Sequence, residues 1–112
     1  METRYRIKFW TNQAGVKPVA KWMKLLNEQD REYLGDLLRE LACDGPFYRP
    51  KVFKHLEKSL WEVRDLRSPG PGFRIYFGFD GKYICLVVAA GDKNSQKRDI
   101  DMAKSRLDGN KE

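Results

Sequence analysis

The run YICLVVAA, from Tyr83 to Ala90, constrains the fold more than any other stretch of the chain. It is far shorter than the roughly 18 apolar residues of a membrane helix, and it lacks the alternation of a strand with one wet face. It reads as a strand buried on both faces, and so as a central strand of a sheet. Asp80-Gly81 is a typical tight-turn pair just before it, and Gly91 ends it.

The neighbours of such a strand are visible upstream. Trp61 and Val63 face one way and Glu62 and Arg64 the other. Phe73, Ile75 and Phe77 likewise oppose Arg74 and Tyr76, and the SPGPG stretch between the two runs has the residues of a hairpin loop. Near the start, Tyr5, Ile7 and Phe9 alternate with Arg6 and Lys8, a further half-buried strand.

Two amphipathic helices lie between. Pro18 suits a first helical position, and Val19, Trp22, Met23 and Leu26 follow as one apolar stripe. NEQD interrupts it, with Asp30 as the expected cap of a second helix carrying Leu34, Leu37, Leu38 and Leu41 to about Ala42. Gly45 and Pro46 stop that helix. The short linker predicts an antiparallel helical hairpin. Residues 47–59 carry no clear period. Asn94 or Ser95 is placed to cap a last helix with Ile100, Ala103 and Leu107 inward, and LDGNKE is a polar tail.

The expected order is β-α-α-β-β-β-α, an α+β fold. A small four-stranded sheet, three strands of it a meander, packs against a helical hairpin, with a C-terminal helix. One domain spans residues 1–107 and a polar tail 108–112. Which meander strand the first strand joins is open. METRYRIKFW has no apolar core or cleavage site, so no signal peptide is expected. Cys43 and Cys85 form no metal-binding spacing and are expected as reduced thiols in a cytoplasmic protein, with no membrane attachment and no cofactor.

The net charge is +6, and its distribution is uneven. Between Tyr48 and Arg74, Arg49, Lys51, Lys54, Lys58, Arg64, Arg67 and Arg74 face only Glu57, Glu62 and Asp65. A clustered basic excess is the footprint of an anionic partner such as nucleic acid. Because the strand period is two, Glu62 and Arg64 share a sheet face, and Arg74 joins them from the next strand if the hairpin register is simple. Paired strands lie about 4.8 Å apart, so both forks can meet one phosphate. Lys51 and Lys54 arrive from the preceding segment and Lys93 from the end of the central strand. Such a set suits RNA cleavage by in-line attack of a 2′-hydroxyl, in which guanidinium groups stabilise the phosphorane charge. His55, the only histidine, is either a proton-transfer group or a packed loop residue. Tyr76 is a candidate for base stacking or proton transfer. Glu62 either orients Arg64 by an ion pair or acts as a base, and a carboxylate among cations ionises too readily to be a strong base.

Four motifs occur in order: a lysine-led loop with Lys54 and Leu56, LWEVR (Leu60–Arg64), GFRIYF (Gly72–Phe77), and GDKNSQKRDIDMAK (Gly91–Lys104). With WMKLLNEQD (Trp22–Asp30), they resemble the killer-protein toxins of type II toxin–antitoxin modules in the RelE/ParE superfamily, nearest to its HigB-like, phage-associated branch. The resemblance runs from about Trp22 to Leu107. It implies a ribosome-dependent, metal-independent mRNA endonuclease neutralised by a small antitoxin, expected to be a helix-turn-helix DNA-binding protein. It implies phosphate and transition-state roles for Arg64 and Arg74. Lys51, Lys54 and Lys93 become RNA contacts and candidate proton-transfer groups. The basic segment adds Arg49, Lys58 and Arg67 as RNA contacts beside Tyr76. Where some relatives carry a C-terminal histidine or tyrosine, this chain has Asp92-Lys93, so the general acid falls to Lys93 or His55. Two other readings stand beside this one: a ParE-like gyrase poison, and a non-catalytic RNA-binding protein of phage origin.

Overall fold

A computed structural model describes residues 2–110. The order is β1 (Arg6–Phe9), α1 (Pro18–Lys24), α2 (Glu28–Asp44), β2 (Phe53–Glu57), β3 (Leu60–Arg64), β4 (Arg74–Asp80), β5 (Ile84–Gly91) and α3 (Gln96–Asn110). The expected α+β class holds, with one strand more than the four expected. The sheet order is β1-β5-β4-β3-β2. The apolar run is indeed interior. β5 is flanked by β1, which runs parallel to it, and by β4, which runs antiparallel.

The extra strand is β2, in the segment without a clear period. It is an edge strand paired only with β3. An edge strand can leave its polar side chains in water, and Lys54 and His55 are both exposed, which erased the alternation a sequence reading needs. A two-residue turn, Lys58-Ser59, links it to β3, and Lys58 takes a positive φ of 43°.

The helix ends follow from local chemistry. Pro18 stands at the start of α1. Asn27, not Asp30, caps α2: its side chain accepts from the Asp30 N–H at 2.8 Å, which leaves Asp30 in the first turn. Gly45 ends α2 at φ 81°, and a Cβ there would lie 2.9 Å from the Tyr5 ring. The last helix continues to Asn110, so residues 108–110 are helical, and 111–112 lie outside the described residues.

Two apolar clusters lie on opposite faces of the sheet. Val19 of α1 and Leu34, Leu37, Leu38 and Leu41 of α2 pack with Phe53, Val63, Ile75, Phe77, Cys85 and Val87. Ala103 and Leu107 of α3 pack with Leu60, Tyr76, Leu86, Val88 and Ala89. A bulge in β4–β5 pairing makes room for this: Tyr76 pairs with Ala89 and Phe77 with Val87, so Val88 is the additional residue. Both Val88 and Ala89 then serve the α3 side. The face carrying Arg64 and Arg74 is therefore partly roofed by α3 over β5 and β4, and it opens toward β3 and β2. Among the described residues no helix is long and apolar enough to cross a membrane.

Candidate functional site

Strand register brings the two arginines together. Arg64, at the end of β3, pairs directly with Arg74, at the start of β4. The row beside them runs Lys54–Glu62–Tyr76–Ala89 across four strands. Like charges directly opposite each other repel, and a carboxylate answers them here. Glu62 is 3% exposed. Its Oε1 lies 3.3 Å from Arg64 Nε and accepts from Arg74 Nη1 at 3.3 Å. The Arg64 contact falls outside hydrogen-bonding angles, so the Nε atoms of both arginines are buried without a protein acceptor. Arg64 keeps 32% of its side chain exposed and Arg74 15%. Each arginine thus combines a buried Nε with a side chain that is still partly accessible.

Lysines stand around this pair. Lys54 is exposed and pairs with Glu62 in register, on the same face. Lys51 is exposed next to Val52, whose carbonyl accepts from the Arg64 N–H at 2.8 Å. The Lys93 stem runs over Gly72, two residues before Arg74, so close that a Cβ on Gly72 would lie 3.4 Å from it. Gly91 pairs with Arg74, and its lack of a side chain admits the contact between Ser95 and the buried Asp99: a Cβ would lie 2.0 Å from Asp99 Oδ2. Ser95 Oγ donates to Asp99 Oδ2 at 2.5 Å. This contact pins the start of α3 beside the arginines.

Several expected site residues are elsewhere. His55 is one residue along from Lys54 and so on the other face, paired with Trp61. Its ring packs on Trp61 at 4.8 Å and Nε2 lies 2.6 Å from the Lys58 carbonyl. It is exposed and in a strand, not under a loop, and the sheet separates it from the arginine pair. Tyr76 shares the arginine face but has 0% exposure under α3, which leaves no ring surface for a base. Its hydroxyl has no hydrogen-bond partner of acceptable geometry. Burial first, then the Glu62 charge, push its ionisation well above the ordinary tyrosine value, so the phenol stays protonated near neutrality.

Arg67 is a structural clamp. Its Nε and Nη2 donate to the two oxygens of Asp65 at 2.9 and 2.8 Å, and its Nη1 donates to Asp30 at 2.8 Å. The guanidinium also lies 4.2 Å from the Tyr33 ring centroid. It ties the β3–β4 loop to the start of α2. Arg49 is half exposed and pairs with Glu40 of α2 at 2.9 Å. Lys58 is in the β2–β3 turn, at the opposite end of β3 from Arg64. The structure thus gathers Arg64, Arg74, Lys54, Lys51 and Lys93, and leaves His55, Arg67, Arg49 and Lys58 outside. Sequence reading under-weighted Glu62, whose contact with both arginines follows from its alternation with Arg64 once the β3–β4 register is known. Among the described residues no group of three or more His, Cys, Asp or Glu side chains is arranged to hold a metal ion.

Residues 21–108 match a family model described as "Phage derived protein Gp49-like (DUF891)". No curated protein matches the chain.

Proposed function

Because the chain belongs to the phage-derived Gp49-like family, a toxin-like family of addiction modules, we propose that it is the toxin of a type II toxin–antitoxin pair. In this reading it is a HigB-like, RelE-type endonuclease that cuts mRNA on the ribosome. The observation that carries the reading is the direct cross-strand pairing of Arg64 with Arg74 at the open end of a basic sheet face. Two forked cations side by side match the non-bridging oxygens of one phosphodiester.

The chemistry follows from that placement. The 2′-hydroxyl of one nucleotide loses its proton and attacks the adjacent phosphorus. The bond to the 5′-oxygen breaks, and that oxygen takes up a proton. The products are a 2′,3′-cyclic phosphate and a 5′-hydroxyl. Arg64 and Arg74 stabilise the charge that grows on the phosphoryl oxygens. Lys54 and Lys93, exposed at the two sides of the pair, are the candidate proton-transfer groups. Lys51 is the candidate contact to the RNA backbone. The partner expected on this reading is a small antitoxin, with the ribosome and mRNA as target.

One observation favours a second reading. No histidine shares the arginine face, and the one tyrosine on it is sealed under α3. A toxin that binds without cutting, such as a gyrase poison or an RNA-binding protein, needs no such group. Primer extension on a defined mRNA in a purified translation system separates the two. Wild type should give discrete cuts that require ribosomes, and Arg64→Ala should give none. A folded, growth-inhibiting chain that makes no cuts under any condition refutes the nuclease reading.

A further inference from the structure

Glu62 is the least expected residue on the arginine face. A carboxylate at 3% exposure is costly to desolvate unless cations hold it. Here one oxygen lies 3.3 Å from both Arg64 and Arg74. The arginines need it as much as it needs them. They are direct cross-strand partners, and without an intervening anion their repulsion would drive one or both long side chains into water.

The contacts also have a direction. Glu62 meets Arg64 at Nε, the inner edge of its guanidinium, and meets Arg74 through a single terminal nitrogen. Neither contact is the two-pronged pairing that would use up a guanidinium's outer face. Tyr76 walls Glu62 on the β4 side and Lys54 flanks it on the β2 side, so the carboxylate has little freedom to leave.

We propose that Glu62 is the positioning residue of the site: its buried carboxylate holds the Arg64 and Arg74 guanidinium groups side by side, with their outer donors free for one phosphate of an RNA strand. This rests on the nuclease reading for the identity of the ligand, but the positioning itself does not. Glu62 exchanges no proton with substrate and touches none of the reacting atoms. It acts through the arginines.

The test uses the full chain and two measurements. In side-chain proton–nitrogen NMR spectra, the Nε–H signals of Arg64 and Arg74 are assigned with R64K and R74K. In wild type both should exchange with water at least about tenfold more slowly than that of Arg98, whose side chain is 77% exposed. E62Q should bring both to the exposed rate while the backbone spectrum stays folded. In the ribosome-dependent cleavage assay, E62Q should lower kcat by about 100-fold, with KM for the programmed ribosome changed by less than about twofold. In an R64K background, where the fork is already lost, the same substitution should cost less than about threefold.

A merely structural Glu62 would reduce activity by the same factor in both backgrounds. That result overturns the proposal, as does slow Nε–H exchange that survives E62Q. If E62Q does not fold, E62D carries the test. It keeps the charge but withdraws it by one methylene, and it should speed exchange at one or both arginines; unchanged exchange overturns the proposal. A folded wild type that cuts nothing refutes the nuclease reading alone, because the exchange measurement judges Glu62 without it.

Discussion

Arg67→Met gives the sharpest check on how this fold is held. Methionine keeps an apolar stem against Tyr33 and removes the charged fork. The lost contacts are the two hydrogen bonds to Asp65 and the one to Asp30. Asp65 is the partner that suffers, because its side chain is 0% exposed. Removing one member of a buried ion pair costs about 3–5 kcal/mol. Two features reduce that figure: Arg67 is itself 26% exposed, and Asp65 still accepts from the residue-67 backbone N–H at 3.1 Å and, weakly, from Phe73 N at 3.4 Å. A loss of about 3 kcal/mol is expected. For 112 residues the unfolding entropy is roughly 0.24 kcal/mol per degree, so the melting temperature should fall by roughly 12 °C. The effect is also pH-dependent. Burial acts to raise the Asp65 carboxyl, but its hydrogen bonds and ion pair with Arg67 outweigh this and leave it below its ordinary 3.8. A depressed acid stabilises the fold above its unfolded value and loses that contribution as pH falls through the folded value. The gap between wild type and variant should therefore be full at pH 7 and narrow below pH 3.8. Thermal melts monitored by circular dichroism at several pH values measure it. A shift under about 3 °C at pH 7, or a gap that widens in acid, would refute the clamp. Cleavage per folded molecule should be unchanged, which an RNA-contacting Arg67 would not allow.

Three further substitutions probe neighbouring points. His55→Ala should leave the cleavage rate within about twofold and cost under about 1 kcal/mol in urea melts; a tenfold or larger fall in kcat would restore His55 to the chemistry. Tyr76→Phe removes a buried hydroxyl without a partner and should raise stability by up to about 1 kcal/mol. The raised ionisation of Tyr76 favours the fold below pH 10 and is lost as pH climbs toward the folded value, so wild type should weaken in alkali faster than the phenylalanine variant, and equal slopes would contradict this. Gly91→Ala places a Cβ 2.0 Å from Asp99 Oδ2 and 2.3 Å from Ser95 Oγ. It should cost about 2 kcal/mol or more and speed amide exchange at Asp99, whose N–H donates to the Ser95 carbonyl; unchanged exchange there would show that the two side chains move aside freely.

Much of this architecture can be read from residue order alone. An uncharged run flanked by turn residues has one comfortable place, inside a sheet, and β5 is there. The period of two puts Glu62 with Arg64, and Arg74 with Tyr76, on one face of their own strands without any coordinates, because successive strand side chains must point to opposite sides. The leucine spacing of α2 and the stop at Gly45-Pro46 are equally local. β2 escaped because an edge strand with one partner and one wet side needs no apolar alternation. The true cap of α2 was three residues earlier than expected because both Asn27 and Asp30 have capping chemistry, and only the chain's path selects between them.

The tertiary structure decided what each face meets. Period two says that Tyr76 and Arg74 share a side, but only the crossing of α3 buries one and leaves the other at an opening. His55 and Lys54 are adjacent in sequence, and once β2 is a strand they must part to opposite faces. Arg67 is clamped by Asp30, 37 residues away, a pairing no local pattern announces. The split has one physical cause. Side-chain direction along a strand or helix is fixed by backbone geometry within a few residues, whereas exposure, ion pairing and the pairing of Arg64 with Arg74 depend on register and packing between segments brought together by folding.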